Sequence, residues 1–467
     1  MPQLSYLLTT RADALADSEI TGITCDSRKT RSGYLFFAIR GAESDGHKFI
    51  PQAIENGAIA VIGEDDAAQL PENIIYIKSA NIREDYAFAA SRFYPNNLEN
   101  IAIVTGTNGK TSVANFTRQL WLSAGKNAAA LGTLGLITNK QAQSSEAVNT
   151  TPDAAELHKI LSQLSGNIII EGSSIGLEQH RLDYTNPKIA AFTNFTRDHL
   201  DYHQSMESYF AAKLLLFTKV MQDGVAVINH SLMSENNLAE AVKKFKTIRF
   251  GADGDLRLIS ATPTPEGQII KIDLLGEKAE IEIPLIGKFQ PENILCSAGI
   301  AIASGMQPKE ILDNIANLQP VAGRMEKAAK NIYVDYAHTP DALENALKSL
   351  RGHTQGKLHV VFGCGGDRDK GKRPQMGKIA AEYADIITIT DDNPRTENAA
   401  KIRQEIMAEC AEAQEVADRS KAIEQAISTM KNDDILLIAG KGHEKYQIIG
   451  TEKQYFDDIE AVRGVKS

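Results

Sequence analysis

Short apolar runs recur along most of the chain, and segments with helical periodicity separate them. We interpret runs such as IAIVT (101–105), NIIIE (167–171) and GVAVIN (224–229) as buried strands. Helical patterns lie between them, for example at 152–164 and 205–221. Strands that alternate with helices predict a mostly parallel sheet with helices on both faces, and therefore an α/β fold.

The pattern breaks at two places, which predicts three domains. The stretch RFYPNNLEN (92–100) carries Pro and Asn and is typical of a linker, and a new series of strands starts near VAGRMEK (321–327). Residues 255–285 predict antiparallel strands added to the central sheet. A length of 467 residues also suggests about three domains. We place the domains at 1–97, 98–318 and 319–467.

Composition narrows the possible classes of protein. A formal net charge of −10 argues against a general nucleic-acid binder, which would carry a basic stripe. The four cysteines lie far apart and form no CxxC pair, as expected for reduced thiols. The first residues lack the apolar core of a signal peptide, and no apolar run reaches the ~18 residues of a membrane span. We therefore expect a cytoplasmic protein without a membrane span.

Nearly every segment with chemically active side chains follows directly after a predicted strand. In open α/β sheets, ligands bind beyond the carboxyl ends of the strands. Because segments of two domains are placed in this way, we predict one site in a cleft between those domains. The segments are TGTNGKT, EGSS, TNFTRDH, DYAH, GCGGDRD, DDNPR and GKGHE.

The segment GTNGKT (106–111) predicts a phosphate-binding loop. Backbone N–H groups of such a turn, with the N-terminus of the following helix (112–123), favour phosphate oxygens. Lys110 can neutralise phosphate charge and Thr111 can reach Mg²⁺. Val104 stands where the full P-loop pattern has its first Gly, so a strand, turn and helix with an incidental GKT is the alternative.

Three further side chains are candidates for a metal site near this loop. Glu171 ends an apolar strand, where a charge needs a partner or a metal ion, and His199 lies in RDHLDYH. Lys213 has mostly apolar neighbours on its predicted helix, and a buried neutral amine can react with CO₂. Structural ion pairs and a snorkelling lysine are the alternatives.

Ten motifs together resemble those of the Mur ligases, in the branch that adds diaminopimelate, and they occur in the family's order. The resemblance covers nearly the whole chain. The motifs are TGTNGKTS (105–112), NTTPD (149–153), EGSS…LEQHRLD (171–183), TNFTRDHLDYH (193–203), AAKLLLF (211–217), GRMEK (323–327), VDYAHTPDAL (334–343), GGDRDKGKRPQM (365–376), DDNPRTE (391–397) and AGKGHEKYQ (439–447).

This resemblance implies a central parallel-sheet P-loop ATPase domain between an N-terminal UDP-binding α/β domain and a C-terminal Rossmann-like domain. It implies ATP and Mg²⁺ as cofactors, a catalytic set of Lys110, Glu171, His199 and Lys213, and carbamylation of Lys213. Metal ligands are then Thr111, Glu171, His199 and the carbamate of Lys213. Nucleotide contacts are implied for Gly106, Thr107, Asn108, Gly109, Lys110, Thr111, Ser112, Asn293, Arg324 and Asp335.

Substrate contacts are implied in the same way. Ser27 and the turn Ala42, Glu43 and Ser44 match the UDP contacts, and Asn149, Thr150, Thr151, Ser173, Gln179 and Arg181 match the muramoyl-peptide contacts. Arg368, Asp392, Asn393, Pro394, Arg395, Gly440 and Glu444 match the contacts to the incoming amino acid. Diaminopimelate has a second carboxylate that lysine lacks. Arg395 can pair with that carboxylate, and Glu444 can receive the distal ammonium.

The resemblance implies an ATP-driven amide ligase that adds meso-diaminopimelate to UDP-N-acetylmuramoyl-L-Ala-D-Glu through an acyl phosphate, in peptidoglycan synthesis. We expect small-molecule partners only, no nucleic acid, and a monomer. The alternatives are a lysine-adding sibling, a folylpolyglutamate synthetase, a P-loop ATPase that switches a partner protein, and a non-catalytic nucleotide-binding scaffold.

Overall fold

The structure is a computed structural model that describes residues 1–8, 18–41, 44–66, 70–138, 149–264 and 267–465, and the backbone alone of 142–143. Within these residues the strands form sheets of four, eleven and six strands and a separate hairpin. Helices pack between and around the sheets, which confirms the α/β fold with a large central sheet. The boundaries at 97/98 and 318/319 stay predictions.

The N-terminal sheet is parallel and has its strands in chain order. Apolar residues of its strands, such as Leu35 and Ile62, pack against Ala87 and Ala90 of the last helix. That helix begins after Asn81, whose side chain accepts a hydrogen bond from the Glu84 amide. The elements are β1 (Gly22–Thr24), β2 (Tyr34–Phe37), α1 (Ile50–Glu55), β3 (Ala58–Gly63), β4 (Ile75–Lys78) and α2 (Ile82–Phe93).

The central sheet has the order β15-β14-β13-β12-β11-β10-β5-β9-β6-β7-β8 among the described residues. Its strands are β5 (Asn100–Thr105), β6 (Ala128–Gly132), β7 (Gly135–Ile137), β8 (Ala142–Gln143), β9 (Asn167–Glu171), β10 (Ile189–Phe192), β11 (Val225–Asn229), β12 (Lys246–Phe250), β13 (Leu256–Thr264), β14 (Gly267–Leu274) and β15 (Glu277–Ile283). The middle strands β9, β5, β10 and β11 are parallel. The ladders β13–β14 and β14–β15 are antiparallel, which confirms the prediction for 255–285.

Helices cover both faces of this sheet, and each face has its own apolar core. Trp121 and Leu295 belong to the core on one face, and Phe192 and Phe217 belong to the core on the other. The helices are α3 (Lys110–Ser123), α4 (Ala154–Ser162), α5 (Ser174–Glu178), α6 (Leu200–His203), α7 (Met206–Leu215), α8 (Asn236–Val242), α9 (Gln290–Ala303) and α10 (Pro308–Ile315).

The segment predicted as one helix at 205–221 consists of two kinds of helix. Helix α7 ends at Leu215, and a π-helix continues from Leu216 to Val220. A π-helical turn holds one more residue than an α-helical turn, and such turns occur frequently at functional sites. This turn begins three residues after Lys213.

The C-terminal sheet has the order β16-β17-β21-β18-β19-β20 and is parallel except at β16. Its elements are β16 (Glu326–Ala329), β17 (Ile332–Asp335), α11 (Pro340–Arg351), β18 (Leu358–Phe362), α12 (Lys372–Tyr383), β19 (Ile386–Ile389), α13 (Ala399–Met407), β20 (Gln414–Glu415), α14 (Arg419–Thr429) and β21 (Ile435–Ala439). The hairpin β22 (Tyr446–Ile449) and β23 (Glu452–Tyr455) and helix α15 (Asp458–Gly464) follow. In the described part of the chain, no helix is long and apolar enough to cross a membrane.

Candidate active site

The phosphate loop lies between β5 and α3 and packs tightly against its neighbours. Gly106 has a φ of 145°, and a Cβ there would lie 1.9 Å from Thr193 Oγ1. Gly109 has a φ of 86°, and a Cβ there would lie 2.4 Å from Asn293 Oδ1. Both positions therefore require glycine, because a side chain would be strained and would collide with its neighbour.

Polar residues that follow β10 hold the loop in place. The Asn108 amide donates to Asn194 Oδ1 over 2.8 Å, and Thr193 Oγ1 donates to the Asn108 carbonyl oxygen over 2.6 Å. Thr107 Oγ1 donates to the Thr196 carbonyl oxygen over 3.1 Å. The motifs TGTNGKTS and TNFT thus form one unit.

Lys110 and Lys213 both point at the backbone of this loop. Each Nζ lies 2.8 Å from the Gly106 carbonyl oxygen, and Lys110 also donates to the Thr107 carbonyl oxygen. Lys213 is buried, and burial followed by the nearby charge of Lys110 holds its pKa well below the ordinary value. Burial also lowers the pKa of Lys110.

Glu171 is buried at the end of β9 and is surrounded by donors. Its Oε2 accepts from Thr111 Oγ1 and Thr133 Oγ1, each over 3.0 Å, and its Oε1 accepts from the Thr133 amide. A Cβ on Gly132 would lie 2.1 Å from Oε1. The strand end therefore fixes the carboxylate against Thr111 and the start of α3.

His199 stands at the start of α6 with a φ of 52°, and its side chain is 43% exposed. Its Nε2 lies 3.4 Å from Asp198 Oδ2. Partial burial lowers the pKa of His199, while Asp198 acts to raise it. The positive charges of Lys110 and Lys213 also act to lower this pKa.

A cavity of about 330 Å³ beside the phosphate loop has walls from the central and C-terminal domains. Arg324 Nη2 donates to Thr111 Oγ1 over 3.1 Å, and its guanidinium lies over the Tyr336 ring. Asn108 Nδ2 donates to Asp341 Oδ2 over 2.6 Å. The predicted residues that line the cavity are Asn108, Gly109, Thr111, Ser112, Asn293, Arg324 and Asp335.

Asp335 ends β17 and is buried in the wall of this cavity. The Met325 amide donates to its Oδ2 over 2.7 Å. Burial raises the pKa of Asp335 to about 6, against the opposing charge of Arg324. The sequence pattern missed Asp341, Asn194 and Thr196 as cavity residues, although all three lie inside the quoted motifs.

A larger cavity, of about 720 Å³, lies between the N-terminal and central domains. Ser27, Ser44, Gln179 and Arg181 line it, and Ser27 Oγ donates to Gln52 Oε1 over 2.6 Å. The predicted contacts Ala42 and Glu43 lie outside the described residues.

A chain of hydrogen bonds links this cavity to Glu171. Arg181 Nη1 donates to the Thr151 carbonyl oxygen over 2.7 Å, and Thr151 Oγ1 lies 2.9 Å from both Ser173 Oγ and the Glu171 carbonyl oxygen. Thr150 Oγ1 lies 3.2 Å from Thr133 Oγ1, which contacts Glu171. Asn149 is exposed at the end of this segment. The NTTPD motif therefore extends from the larger cavity towards the phosphate loop.

The predicted amino-acid contacts converge at the carboxyl ends of β19 and β21. Asn393 Nδ2 donates to Glu444 Oε2 over 3.0 Å, and a Cβ on Gly440 would lie 2.7 Å from Asp392 Oδ2. Pro394 is buried beside them. Arg368 is exposed, and both its side chain and that of Arg395 lie within 4.0 Å of the position of a Cβ on Gly365. Together these residues form the predicted amino-acid pocket.

Thr111 and Glu171 supply oxygen ligands of the kind that Mg²⁺ prefers. Among the described residues, no group of three or more His, Cys, Asp or Glu side chains could hold a metal ion by itself. The two residues fit an ion that takes its remaining ligands from phosphate oxygens, water or a carbamate, since Mg²⁺ usually keeps several such ligands.

The chain is similar to known proteins over nearly its whole length. Models of the Mur ligase family match residues 19–98 (catalytic domain), 104–301 (middle domain) and 323–442 (glutamate ligase domain). The UDP-N-acetylmuramoyl-L-alanyl-D-glutamate–2,6-diaminopimelate ligases of Zymomonas mobilis and Caulobacter vibrioides are 44% and 41% identical to this chain. The alignments cover 95% and 96% of this chain and 94% and 96% of those proteins.

Two solved structures have the same fold. A structure of a UDP-N-acetylmuramoyl-L-alanyl-D-glutamate–2,6-diaminopimelate ligase has a TM-score of 0.70 and 31% identity, over 99% of this chain and 98% of that one. The MurF ligase of Thermotoga maritima in complex with ADP has a TM-score of 0.66 and 17% identity, over 97% and 98%.

The fold and these comparisons identify a three-domain ligase. The chain belongs to the Mur ligase family.

Proposed function

We propose that this ligase uses ATP to join meso-diaminopimelate to the D-Glu of UDP-N-acetylmuramoyl-L-Ala-D-Glu, as a step of peptidoglycan synthesis. Full-length relatives at 41–44% identity carry the name of this activity. The cytoplasmic location and the monomeric state stay predictions.

The lack of a carboxylate partner for Arg395 among the described residues is the observation that supports diaminopimelate over lysine. Three buried or half-buried arginines of the same domain have carboxylate partners: Arg373 with Glu397 and Glu405, Arg403 with Asp391 and Glu415, and Arg419 with Asp458. Arg395 Nη1 instead donates to the carbonyl oxygens of Gly366 and Asn393, and no carboxylate of a described residue pairs with it. Its guanidinium is therefore open to a carboxylate of the substrate.

The first step in this proposal activates the D-Glu side chain. Its γ-carboxylate attacks the γ-phosphate of ATP in line, which gives an acyl phosphate and ADP. The N-terminus of α3 and the Lys110 ammonium, next to the loop backbone, offset charge on the phosphoryl oxygens. Thr111 and Glu171, with His199 and Lys213 as its carbamate, would hold Mg²⁺, which supplies further charge neutralisation when bound.

The second step forms the amide bond. The amine of the amino acid attacks the acyl carbon, and phosphate leaves from the tetrahedral intermediate. The contacts of Asn108 with Asp341 and of Thr111 with Arg324 join the two domains across the nucleotide cavity. Such a closed cleft excludes water, which would otherwise hydrolyse the acyl phosphate.

The test is phosphate release with Mg-ATP and the UDP-muramoyl dipeptide in the presence of meso-diaminopimelate, L-lysine or no amino acid. We expect release with diaminopimelate together with a product heavier by that residue. Release with lysine instead would favour the lysine-adding sibling. Equal release without the UDP substrate or an amino acid would favour an ATPase that switches a partner protein.

A further inference from the structure

Lys441, directly after Gly440, is a buried cation in the amino-acid pocket. Its side chain has 0% exposure, and its Nζ donates to Asn393 Oδ1 over 2.9 Å and lies 3.5 Å from Glu444 Oε2. Burial of an ammonium costs free energy unless the charge is paired and hydrogen-bonded. Asn393 and Glu444 meet both conditions for Lys441, so the three side chains depend on one another.

The orientation of the Asn393 amide follows from its two donors. Its Oδ1 accepts from Lys441 Nζ and from the Ile448 amide, each over 2.9 Å. A side-chain NH₂ group cannot accept these bonds, so the amide nitrogen must point the other way. There it donates to Glu444 Oε2 over 3.0 Å. Lys441 and the Ile448 amide together orient Asn393, and Lys441 also lies 3.5 Å from Glu444 Oε2, so Lys441 holds the Glu444 carboxylate both through Asn393 and directly.

We propose that Lys441 is a positioning residue for the incoming amino acid, because it holds the Glu444 carboxylate in place to receive a distal ammonium. This inference rests on the proposed function. Lys441 acts through Asn393 and Glu444 and not through contact with the substrate.

The charges around Glu444 support this role. Burial and the neighbouring Asp392 raise the pKa of Glu444, and Lys441 and Asn393 act against them. Lys441 and Arg419 also hold the pKa of Asp392 below its ordinary value, although burial acts to raise it. The titratable and charged groups that act on Glu444 are Asp392, Lys441, Arg419, Tyr336 and Tyr446.

The experiment compares the full-length enzyme with Lys441→Met, which keeps most of the side-chain volume and removes the charge. We expect the KM for diaminopimelate to rise about tenfold to a hundredfold, the effect of leaving a buried polar group without its partner. The KM values for ATP and the UDP substrate should stay within about twofold, because Lys441 faces neither cavity. Lys445→Met is the matched control, since Lys445 is exposed on the same loop and pairs with Asp457.

Two readouts separate positioning from a general structural role. Without the Lys441 charge, Glu444 takes up a proton at a higher pH, so the rise in KM for diaminopimelate on acidification should begin at a higher pH. Lys441→Arg, which keeps the charge, should return this profile towards that of the wild type. In a Glu444→Gln background, Lys441→Met should change KM by less than about twofold, because coupled residues are not additive.

If Lys441→Met does not fold, Lys441→Gln replaces it, since this variant keeps a hydrogen-bond donor for Asn393 Oδ1 and removes the charge. It should raise the KM for diaminopimelate and shift its pH profile in the same direction. The inference would be overturned if the Lys441 variants left the KM for diaminopimelate and its pH profile unchanged. It would also be overturned if Lys441→Met raised this KM equally in the wild type and in the Glu444→Gln background. Either result would leave the proposed function intact. A wild-type enzyme that makes no product with diaminopimelate would instead refute the proposed function.

Discussion

Lys110 and Lys213 donate to the same acceptor, the carbonyl oxygen of Gly106, each over 2.8 Å. Two ammonium groups that share one carbonyl oxygen repel each other, and this repulsion adds to the effect of burial on Lys213. The neutral amine of Lys213 is therefore favoured, and a neutral amine is the form that reacts with CO₂.

We predict that Lys213 is carbamylated. Enzyme equilibrated with ¹³C-bicarbonate should show a carbamate carbon resonance by NMR, and Lys213→Met should lack it. Lys188→Met serves as the control, because Lys188 is exposed and pairs with Asp223. A resonance that persists in Lys213→Met, or that disappears in Lys188→Met, would refute the assignment.

Asp335 should make stability fall as the pH rises. Its pKa of about 6 lies above the ordinary value of 3.8, so the native state binds this proton more tightly than the unfolded state. The contribution is fully present below about pH 4 and is lost as the pH rises through about 6. Relative to Asp335→Asn, the wild type should lose about 2 kcal/mol of unfolding free energy between pH 4 and pH 7, measured by urea titration. A constant difference between the two proteins would contradict the raised pKa.

Arg395→Ala should lower kcat/KM for diaminopimelate by about 10- to 150-fold, because a charge-assisted hydrogen bond to the second carboxylate is lost. For L-lysine, which lacks that carboxylate, kcat/KM should change by less than about threefold. Steady-state assays with both amino acids measure the ratio. Arg351→Ala is the control, since Arg351 pairs with Asp385 at the surface of the same domain. An equal decrease in kcat/KM for both amino acids would show that Arg395 does not discriminate between them.

The pair Arg419–Asp458 joins α14 to α15, and both side chains have 0% exposure. Arg419→Met leaves a buried carboxylate without its partner, so we expect a loss of about 3–5 kcal/mol of unfolding free energy. Replacing both residues by apolar ones should cost less than the single change. Urea unfolding measures both, and the exposed pair Lys188–Asp223 is the comparison, with an expected effect of about 0–1 kcal/mol. If Arg419→Met lowers the unfolding free energy no more than loss of the Lys188–Asp223 pair does, the Arg419–Asp458 pair is not structurally important.

The sequence predicted correctly that Glu171 and Asp335 end strands. Each carboxylate closes an apolar run, where a buried charge needs a partner or a metal ion. In the structure, Asp335 lines the predicted nucleotide cavity and Glu171 contacts Thr111 of the predicted phosphate loop. The hairpin strands at 255–285 were also predicted correctly, because apolar and polar residues alternate there.

Contacts between distant segments could not be predicted from patterns. Thr133 bonds to Glu171 through its amide and its hydroxyl, and Asp341 bonds to Asn108 across two domains. Neither residue differs in its local pattern from an ordinary turn or helix start. The π-helix after Leu215 was missed for a similar reason, because the apolar residues of 205–221 fit a continuous helix equally well.

The predicted nucleotide cavity has one wall from Asn293 of the central domain and another from Asp335 of the C-terminal domain. Under the proposed function, nucleotide affinity should therefore depend on how the two domains are docked. Arg197 and Asp369, whose charged atoms lie 3.9 Å apart, form a further contact between the two domains beside this cavity. Because the cavity needs both domains, a small molecule that holds the two domains apart would inhibit the enzyme without itself binding to the phosphate loop.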